Sequence, residues 1–142
     1  MFKTVMMTAA LALIAGTATA ETIEVKMLNK GEAGVMVFEP AFVKAQPGDT
    51  IRFVATDKGH NAESIDGMLP AGVDSFKSKP SKDFELTVAQ EGIYGVKCTP
   101  HYGMGMVALI QAGDPVNLDD AAGVKQPGKS KSRMADLIAQ VD

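Results

Sequence analysis

The chain has 142 residues, of which 46% are hydrophobic and 22% charged, and its formal net charge at pH 7 is −3. This length suits one domain with a sizeable core. The acidic balance argues against nucleic acid as a partner, because phosphate binding needs a basic excess. The chain holds one cysteine, which excludes a disulfide bond within it.

The first predicted element is a leader, "MFKTVMMTAALALIAGTATA". It has one early cation, Lys3, no acidic residue, an apolar stretch over residues 5–15 and a small-x-small cleavage site at residues 18–20. The apolar stretch is shorter than the roughly 20 residues that a spanning helix needs. We therefore expect residues 1–20 to be a secretory signal peptide. Residues 21–142 would form one exported, soluble domain with no membrane segment. The loss of Lys3 would make the net charge of this domain more negative than that of the full chain.

Short strands are predicted next, up to residue 111. The segment "TIEVKML" alternates Ile23, Val25 and Met27 with charged residues, and "TIRFVA", "DFELTVA" and "GIYGVKC" alternate in the same way. The segment "GVMVF" is short and rich in valine, while "MVALIQ" is a continuous apolar run, typical of a strand covered on both faces. Residues 56–81 are rich in Gly, Pro, Ser and Asp and indicate a long loop with at most one short strand. This pattern predicts an all-β sandwich or barrel.

Two short helices are predicted after Gly113. Asn117 is expected to cap a helix that Leu118 opens and that Pro127-Gly128 stops. A second helix is expected over about residues 131–141, because its apolar residues recur at i, i+3, i+4 and i+7. That apolar face would pack on the sandwich, so the C-terminal helical segment spans about residues 115–142.

The chemically distinctive segment is "VKCTPHYGMGM", which holds Cys98, His101, Met104 and Met106. The only other histidine is His60, in a separate predicted loop. Two imidazoles, a thiolate and a weak axial thioether form the ligand set of electron-transfer copper sites. Spacing alone does not choose between the two methionines. A copper ion held in this way has no position open for substrate, so the pattern favours a carrier over an enzyme.

Two other site chemistries use the same residues. A thiol-dependent hydrolase would pair Cys98 with a histidine base. A zinc site would take the cysteine and both histidines and leave one position open. Neither alternative explains a methionine after the histidine. A copper chaperone would hold Cu(I) and has no need of two histidines.

The pattern Cys98-x₂-His101-x₄-Met106, with His60 in the context "GHN", resembles the cupredoxins, and among them the pseudoazurins. Plastocyanins share this loop length, but here residues 107–142 follow and include two helical segments, as in pseudoazurins. The resemblance implies a Greek-key β-sandwich that binds one copper ion. It implies His60, Cys98 and His101 as equatorial ligands, Met106 as the long axial ligand, and no ligand role for Met104.

The resemblance also implies how the site is supported and approached. The backbone N–H of Asn61 would donate to the Cys98 sulfur, and its side chain would join the two ligand loops. The edge of His101 would emerge in a patch for a redox partner. That patch would consist of Pro100, Tyr102 and Met104, inside a basic rim of Lys30, Lys58, Lys77 and Lys97. The implied partners are a copper nitrite reductase of denitrifying bacteria or a c-type cytochrome, in transient complexes with a periplasmic monomer.

Overall fold

A computed structural model of the protein describes residues 12–14, 16 and 18–142. The predicted signal peptide lies mostly outside the described residues and stays a prediction. The described residues form two four-stranded sheets followed by two short helices, which confirms the predicted β-sandwich with its C-terminal helical segment. The strands are β1 (Thr22–Gly31), β2 (Gly34–Glu39), β3 (Phe42–Ala45), β4 (Thr50–Val54), β5 (Glu63–Ser64), β6 (Phe84–Thr87), β7 (Gly92–Lys97) and β8 (Val107–Ala112).

The strand order is β2-β1-β4-β6 in one sheet and β3-β8-β7-β5 in the other. The alternating strands place one row of apolar side chains between the sheets, where Val25, Phe53 and Tyr94 are buried. Cys98 and Met106 belong to the same buried cluster. The candidate sulfur ligands are therefore part of the core rather than appended to its surface.

Strand β8 is buried at every residue, as its unbroken apolar sequence predicts. One row of its side chains enters the core between the sheets, and the other, with Val107 and Leu109, packs under the C-terminal helices. Strand β3 was not predicted, because four residues with a lysine in third place give too short a pattern. It is recruited by parallel pairing with β8.

The helices are α1 (Leu118–Ala122) and α2 (Ser130–Ile138). Helix α2 ends before the predicted residue 141, and it buries Met134 and Leu137 in the second apolar cluster as expected. The predicted capping role of Asn117 is wrong, since its side chain makes no cap hydrogen bond. Its Oδ1 instead accepts from the Ile93 N–H at 2.6 Å and its Nδ2 donates to the Ile93 carbonyl at 3.0 Å. No helix among the described residues is both long and apolar enough to cross a membrane.

Candidate metal centre

Three side chains from two loops converge at one end of the sandwich. The ligand atoms of His60, Cys98 and His101 all lie within 4.8 Å of one another. The Cys98 sulfur is 3.7 Å from His60 Nδ1 and 3.5 Å from His101 Nδ1, and the two Nδ1 atoms are 3.1 Å apart. His60 and Cys98 are fully buried, whereas His101 is partly exposed. One atom placed among these donors could bind all three.

His60 is held so that its Nδ1 faces this cluster. Its Nε2 lies 2.8 Å from Asn29 Oδ1, which can only accept, so Nε2 carries the proton and Nδ1 keeps a free lone pair. The Asn29 N–H donates to Asp57 at 2.7 Å, which attaches β1 to the loop that holds His60. Burial, with a further contribution from nearby His101, lowers the pKa of His60 and favours the neutral ring that a metal needs. The sequence analysis missed Asn29, because no spacing rule links it to His60.

Cys98 follows the last residue of β7, and its N–H donates to the Met106 carbonyl at 3.0 Å. Burial raises the pKa of its thiol. The backbone N–H groups of Asn61 and His101 oppose that rise by donating toward the sulfur. A bound cation would tip this balance to the thiolate, which is the form that ligates metals.

Asn61 joins the two loops through its side chain. Its Oδ1 accepts from the Thr99 N–H at 2.8 Å, and its Nδ2 donates to Thr99 Oγ1 at 2.8 Å and to the Ser78 carbonyl at 3.2 Å. The Thr99 hydroxyl in turn donates to the Glu63 carboxylate. Asn61 follows the candidate ligand His60, and Thr99 follows the candidate ligand Cys98. The hydrogen bonds between Asn61 and Thr99 therefore join the two ligand loops.

The two methionines of the loop differ in burial. Met106 is fully buried and its N–H donates to the His101 carbonyl at 3.2 Å. Met104 ends a 3₁₀ helix (Thr99–Met104) and is 42% exposed. Gly105 separates them with a φ of +94°, a conformation that favours glycine. The structure therefore places only Met106 in the core beside Cys98, a distinction that spacing did not give.

The residues of the expected partner patch lie next to His101 in sequence, and His101 is partly exposed. Pro100 and Met104 are exposed, and Tyr102 is half-buried with its hydroxyl bonded to Gln126. The lysines of the expected rim fall into two groups. Three are exposed, and Lys97 is half-buried, with its Nζ 3.9 Å from Glu63 Oε1 and 4.9 Å from the centre of the Tyr102 ring. The exposed lysines are Lys30, Lys58 and Lys77.

The donor set fits copper. A thiolate and a thioether suit Cu(I), and two imidazoles whose Nδ1 atoms face the sulfur suit Cu(II). Hydrogen bonds between Asn29 and His60 and between Asn61 and Thr99 orient the donors toward one point. The arrangement can therefore accept one copper ion.

Known proteins share this sequence and fold. Residues 25–113 match the family of copper binding proteins described as plastocyanin/azurin. The chain is 59% identical over 135 residues to a pseudoazurin of Paracoccus pantotrophus, covering 94% of this chain and 93% of that protein. It is 44% identical to a pseudoazurin of Methylorubrum extorquens, covering 99% and 97%.

Solved structures agree with the sequence matches. Native pseudoazurin from Hyphomicrobium denitrificans superposes with a TM-score of 0.82 at 49% identity, covering 85% of this chain and 98% of that one. Pseudoazurin from Methylobacterium extorquens gives the same TM-score at 45% identity, covering 85% and 99%. Together with the copper-suited donor set, these matches mean that the chain belongs to the plastocyanin/azurin family of copper-binding proteins and, within it, to the pseudoazurins, which are electron carriers and not enzymes.

Proposed function

We propose that the chain binds one copper ion through His60, Cys98, His101 and Met106 and carries single electrons between proteins of the periplasm. The copper ion, when bound, alternates between Cu(II) and Cu(I) and so takes up or releases one electron. The observation that carries the proposal is the convergence of three buried or half-buried donor atoms within 4.8 Å, with buried Met106 beside them.

The protein's own contribution is to keep the donors nearly still. Asn29 fixes the proton position and the ring orientation of His60, and Asn61 ties the His60 loop to the Cys98 loop. Such outer hydrogen bonds typically change metal affinity by about 10- to 100-fold when they are removed. Because the donors are anchored in a packed core, gain or loss of an electron would move few atoms, which favours rapid transfer.

Electrons would enter and leave through His101. Its ring is the partly exposed member of the donor cluster, and the surface around it combines exposed Pro100 and Met104 with half-buried Tyr102. A small apolar patch of this kind suits a transient redox complex, for which interfaces below about 1,200 Å² are typical. We expect the protein to act as a monomer.

The charge around the patch favours an acidic partner. Lys30 follows Asn29, which contacts His60; Lys58 lies two residues before His60; and Lys77 pairs with Glu63 in an isolated β-bridge. Opposite charge on a partner raises the rate of encounter more than it raises affinity. A copper nitrite reductase or a c-type cytochrome with an acidic docking face would meet this requirement.

The position at which the folded domain begins supports export. The Glu21 N–H donates to Asp49 Oδ1 at 2.9 Å, and β1 starts at Thr22. Upstream, Leu13 and Ile14 are 89% and 93% exposed. These contacts support a domain at residues 21–142 that would fold without residues 1–20, as the proposed cleavage after Ala20 requires.

Addition of one equivalent of Cu(II) to the purified mature protein tests the proposal. We expect intense thiolate-to-copper absorption, a small copper hyperfine splitting and reversible bleaching by ascorbate, all lost in Cys98→Ser. A pale copper signal, with Cys98 oxidising irreversibly, would refute the carrier and favour the less supported alternative, a zinc- or thiol-dependent hydrolase. Tight binding of colourless zinc with hydrolytic activity would point the same way.

A further inference from the structure

Arg133, on helix α2, reaches from the C-terminal segment to the loop that holds the candidate ligands. Its Nη1 donates to the Gly105 carbonyl at 2.9 Å and to the Met36 carbonyl at 3.0 Å. Its Nη2 donates to the Val35 carbonyl at 3.1 Å. One planar guanidinium on α2 therefore contacts two segments that are far away in sequence: strand β2 and Gly105, the residue just before Met106.

Arg133 forms no salt bridge in the part of the chain that the structure describes. Among the described residues, no carboxylate oxygen lies within 4.0 Å of its guanidinium, and the side chain is half-buried. Three carbonyl dipoles solvate it instead. An arginine suits this position, because its rigid fork presents several donors in one plane and a lysine ammonium does not.

The contact with Gly105 is also steric. A Cβ added to Gly105 would lie 2.7 Å from Arg133 Cδ and 3.0 Å from its Nε, so the arginine stem packs directly on this peptide. The same peptide carries the N–H of Met106. Any shift of Arg133 would therefore tilt the Gly105–Met106 peptide and the side chain that follows it.

Other bonds bring the C-terminal segment to the same loop. The Lys129 N–H donates to the Gly103 carbonyl at 3.0 Å, and the Ser130 hydroxyl donates to the Tyr102 carbonyl. A Cβ at Gly128 would lie 2.3 Å from the Gly103 oxygen, so the approach needs glycine there. These bonds hold the loop against α2, and Arg133 is the contact nearest in sequence to Met106.

We infer that Arg133 is a positioning residue for the copper site, which would set the placement of the candidate ligand Met106 through the Gly105 carbonyl and add a positive charge, not paired in a salt bridge, that favours Cu(I). This inference rests on the proposed copper function. It gives the C-terminal helix a role in tuning the redox centre, beyond covering the sheet.

The test compares Arg133→Gln and Arg133→Lys with Arg52→Gln, the matched control. Arg52 is the only other arginine; its side chain binds Glu24 of β1 and Asp83, which precedes β6, and forms no hydrogen bond with a described residue of the loop at 98–106. The readouts on copper-loaded protein are the visible and electron-paramagnetic-resonance spectra and the Cu(I)/Cu(II) ratio in a redox buffer. The readout on copper-free protein is the exchange rate of the Met106 amide, relative to that of Val25.

We expect Arg133→Gln to change the spectra and to shift the Cu(I)/Cu(II) ratio about tenfold toward Cu(II), or about 59 mV for a one-electron couple. Arg133→Lys should restore most of the ratio, since it keeps the charge, but not the spectra, since it lacks the fork. Both variants should speed Met106 amide exchange. Arg52→Gln should change none of these readouts.

Parent-like spectra and ratio in Arg133→Gln would overturn the inference, and so would equal shifts in Arg52→Gln. If Arg133→Gln does not fold, Arg133→Lys decides: unchanged spectra and unchanged Met106 exchange would overturn the inference. Failure of the proposed function looks different, because the parent protein itself would then lack the intense thiolate-to-copper band.

Discussion

The two ends of the sandwich use the same kind of bond for different purposes. At the end that holds His60 and Cys98, the amide of Asn61 binds the backbone of Thr99. At the opposite end, the amide of Asn117 binds both backbone groups of Ile93, near the start of β7. Both ends therefore have an asparagine side chain that holds backbone groups in place. The two ends differ in what lies beside that bond: the sulfur of Cys98 beside the Asn61 bond, and the start of β7 beside the Asn117 bonds.

The ends also differ in charge. Exposed lysines 30, 58 and 77 lie in segments that contact the His60 loop or the short strand after it. The opposite end carries Glu21, Glu91 and Asp114, together with the carboxylate of Asp49. These exposed lysines support the proposed basic rim around the candidate site, which stays a prediction. Fold stability and function would accordingly respond to different substitutions.

The largest contrast should come from Asn61→Ala and Asn117→Ala. Each removes an amide that satisfies backbone groups of another element, and an unpaired buried group costs about 1–3 kcal/mol, so both should lower the free energy of unfolding. Only Asn61→Ala should also weaken copper binding, by about 10- to 100-fold, since it frees the Cys98 loop from the His60 loop. Urea unfolding of the copper-free proteins and competitive copper titration measure the two effects.

Asn117→Ala is the control for general destabilisation in this pair. If it altered the copper affinity or spectrum as much as Asn61→Ala, the bond at the copper end would have no special role. If Asn61→Ala left both unchanged, the side-chain link between the ligand loops would not shape the site.

A smaller effect, confined to stability, is expected at Asp49. The backbone N–H groups of Glu21 and Gln46 donate to its carboxylate and lower its pKa below the ordinary value of 3.8. A lowered folded-state pKa contributes stability above the unfolded value, and this contribution is lost as the pH falls through the folded value. Cleavage after Ala20 would turn the Glu21 nitrogen into an ammonium group, which also favours the carboxylate, so Asp49→Asn should lower the urea midpoint of the mature protein at neutral pH. The gap to the parent should shrink as the pH falls below about 3.8.

Asp74→Asn, at an exposed carboxylate, serves as the control and should leave the midpoint within error. The copper spectrum of Asp49→Asn should match that of the parent. A gap that stays constant from pH 6 to pH 2.5 would mean that Asp49 acts through packing and not through its charge.

Much of the fold and of the donor cluster could be predicted from the order of residue types along the chain. The unbroken run of β8 predicted its complete burial, and the single cysteine beside one of two histidines predicted the donor cluster. These inferences succeed because hydrophobic period and donor chemistry are local properties of sequence. The choice of Met106 over Met104 came from family resemblance alone, and burial now agrees with it.

The contacts that orient the site could not be predicted in that way. Asn29 and Arg133 reach the site from β1 and α2, at sequence distances that no periodicity encodes. Asn117 has the residue type and position of a helix cap, but a tertiary bond to Ile93 takes its side chain. The pairing of Lys97 with Glu63 likewise depends on β5 lying beside β7. Each of these outcomes is fixed by three-dimensional packing.

The smallest effect is expected on the rate of electron transfer to an acidic partner, and the pairing of Lys97 with Glu63 decides which lysine matters more. Lys58 is exposed, whereas the Lys97 ammonium is partly neutralised by Glu63 and lies over the Tyr102 ring. Lys58→Gln should slow transfer at low ionic strength a few-fold, and Lys97→Gln should slow it less. The double substitution should approach the sum of the two effects in free energy. Stopped-flow reduction of a copper nitrite reductase or cytochrome at two salt concentrations measures this.

Lys44→Gln is the matched control at the other end, where Lys44 binds the Asp142 carboxylate at 2.6 Å. It should leave the rate unchanged, and the loss in Lys58→Gln should fade near 0.5 M salt, where charges are screened within about 4 Å. Equal slowing by Lys44→Gln would mean that net charge, and not the basic rim, steers the encounter. A loss that persists at high salt would instead place Lys58 in direct contact with the partner, where a short-range bond outlasts screening.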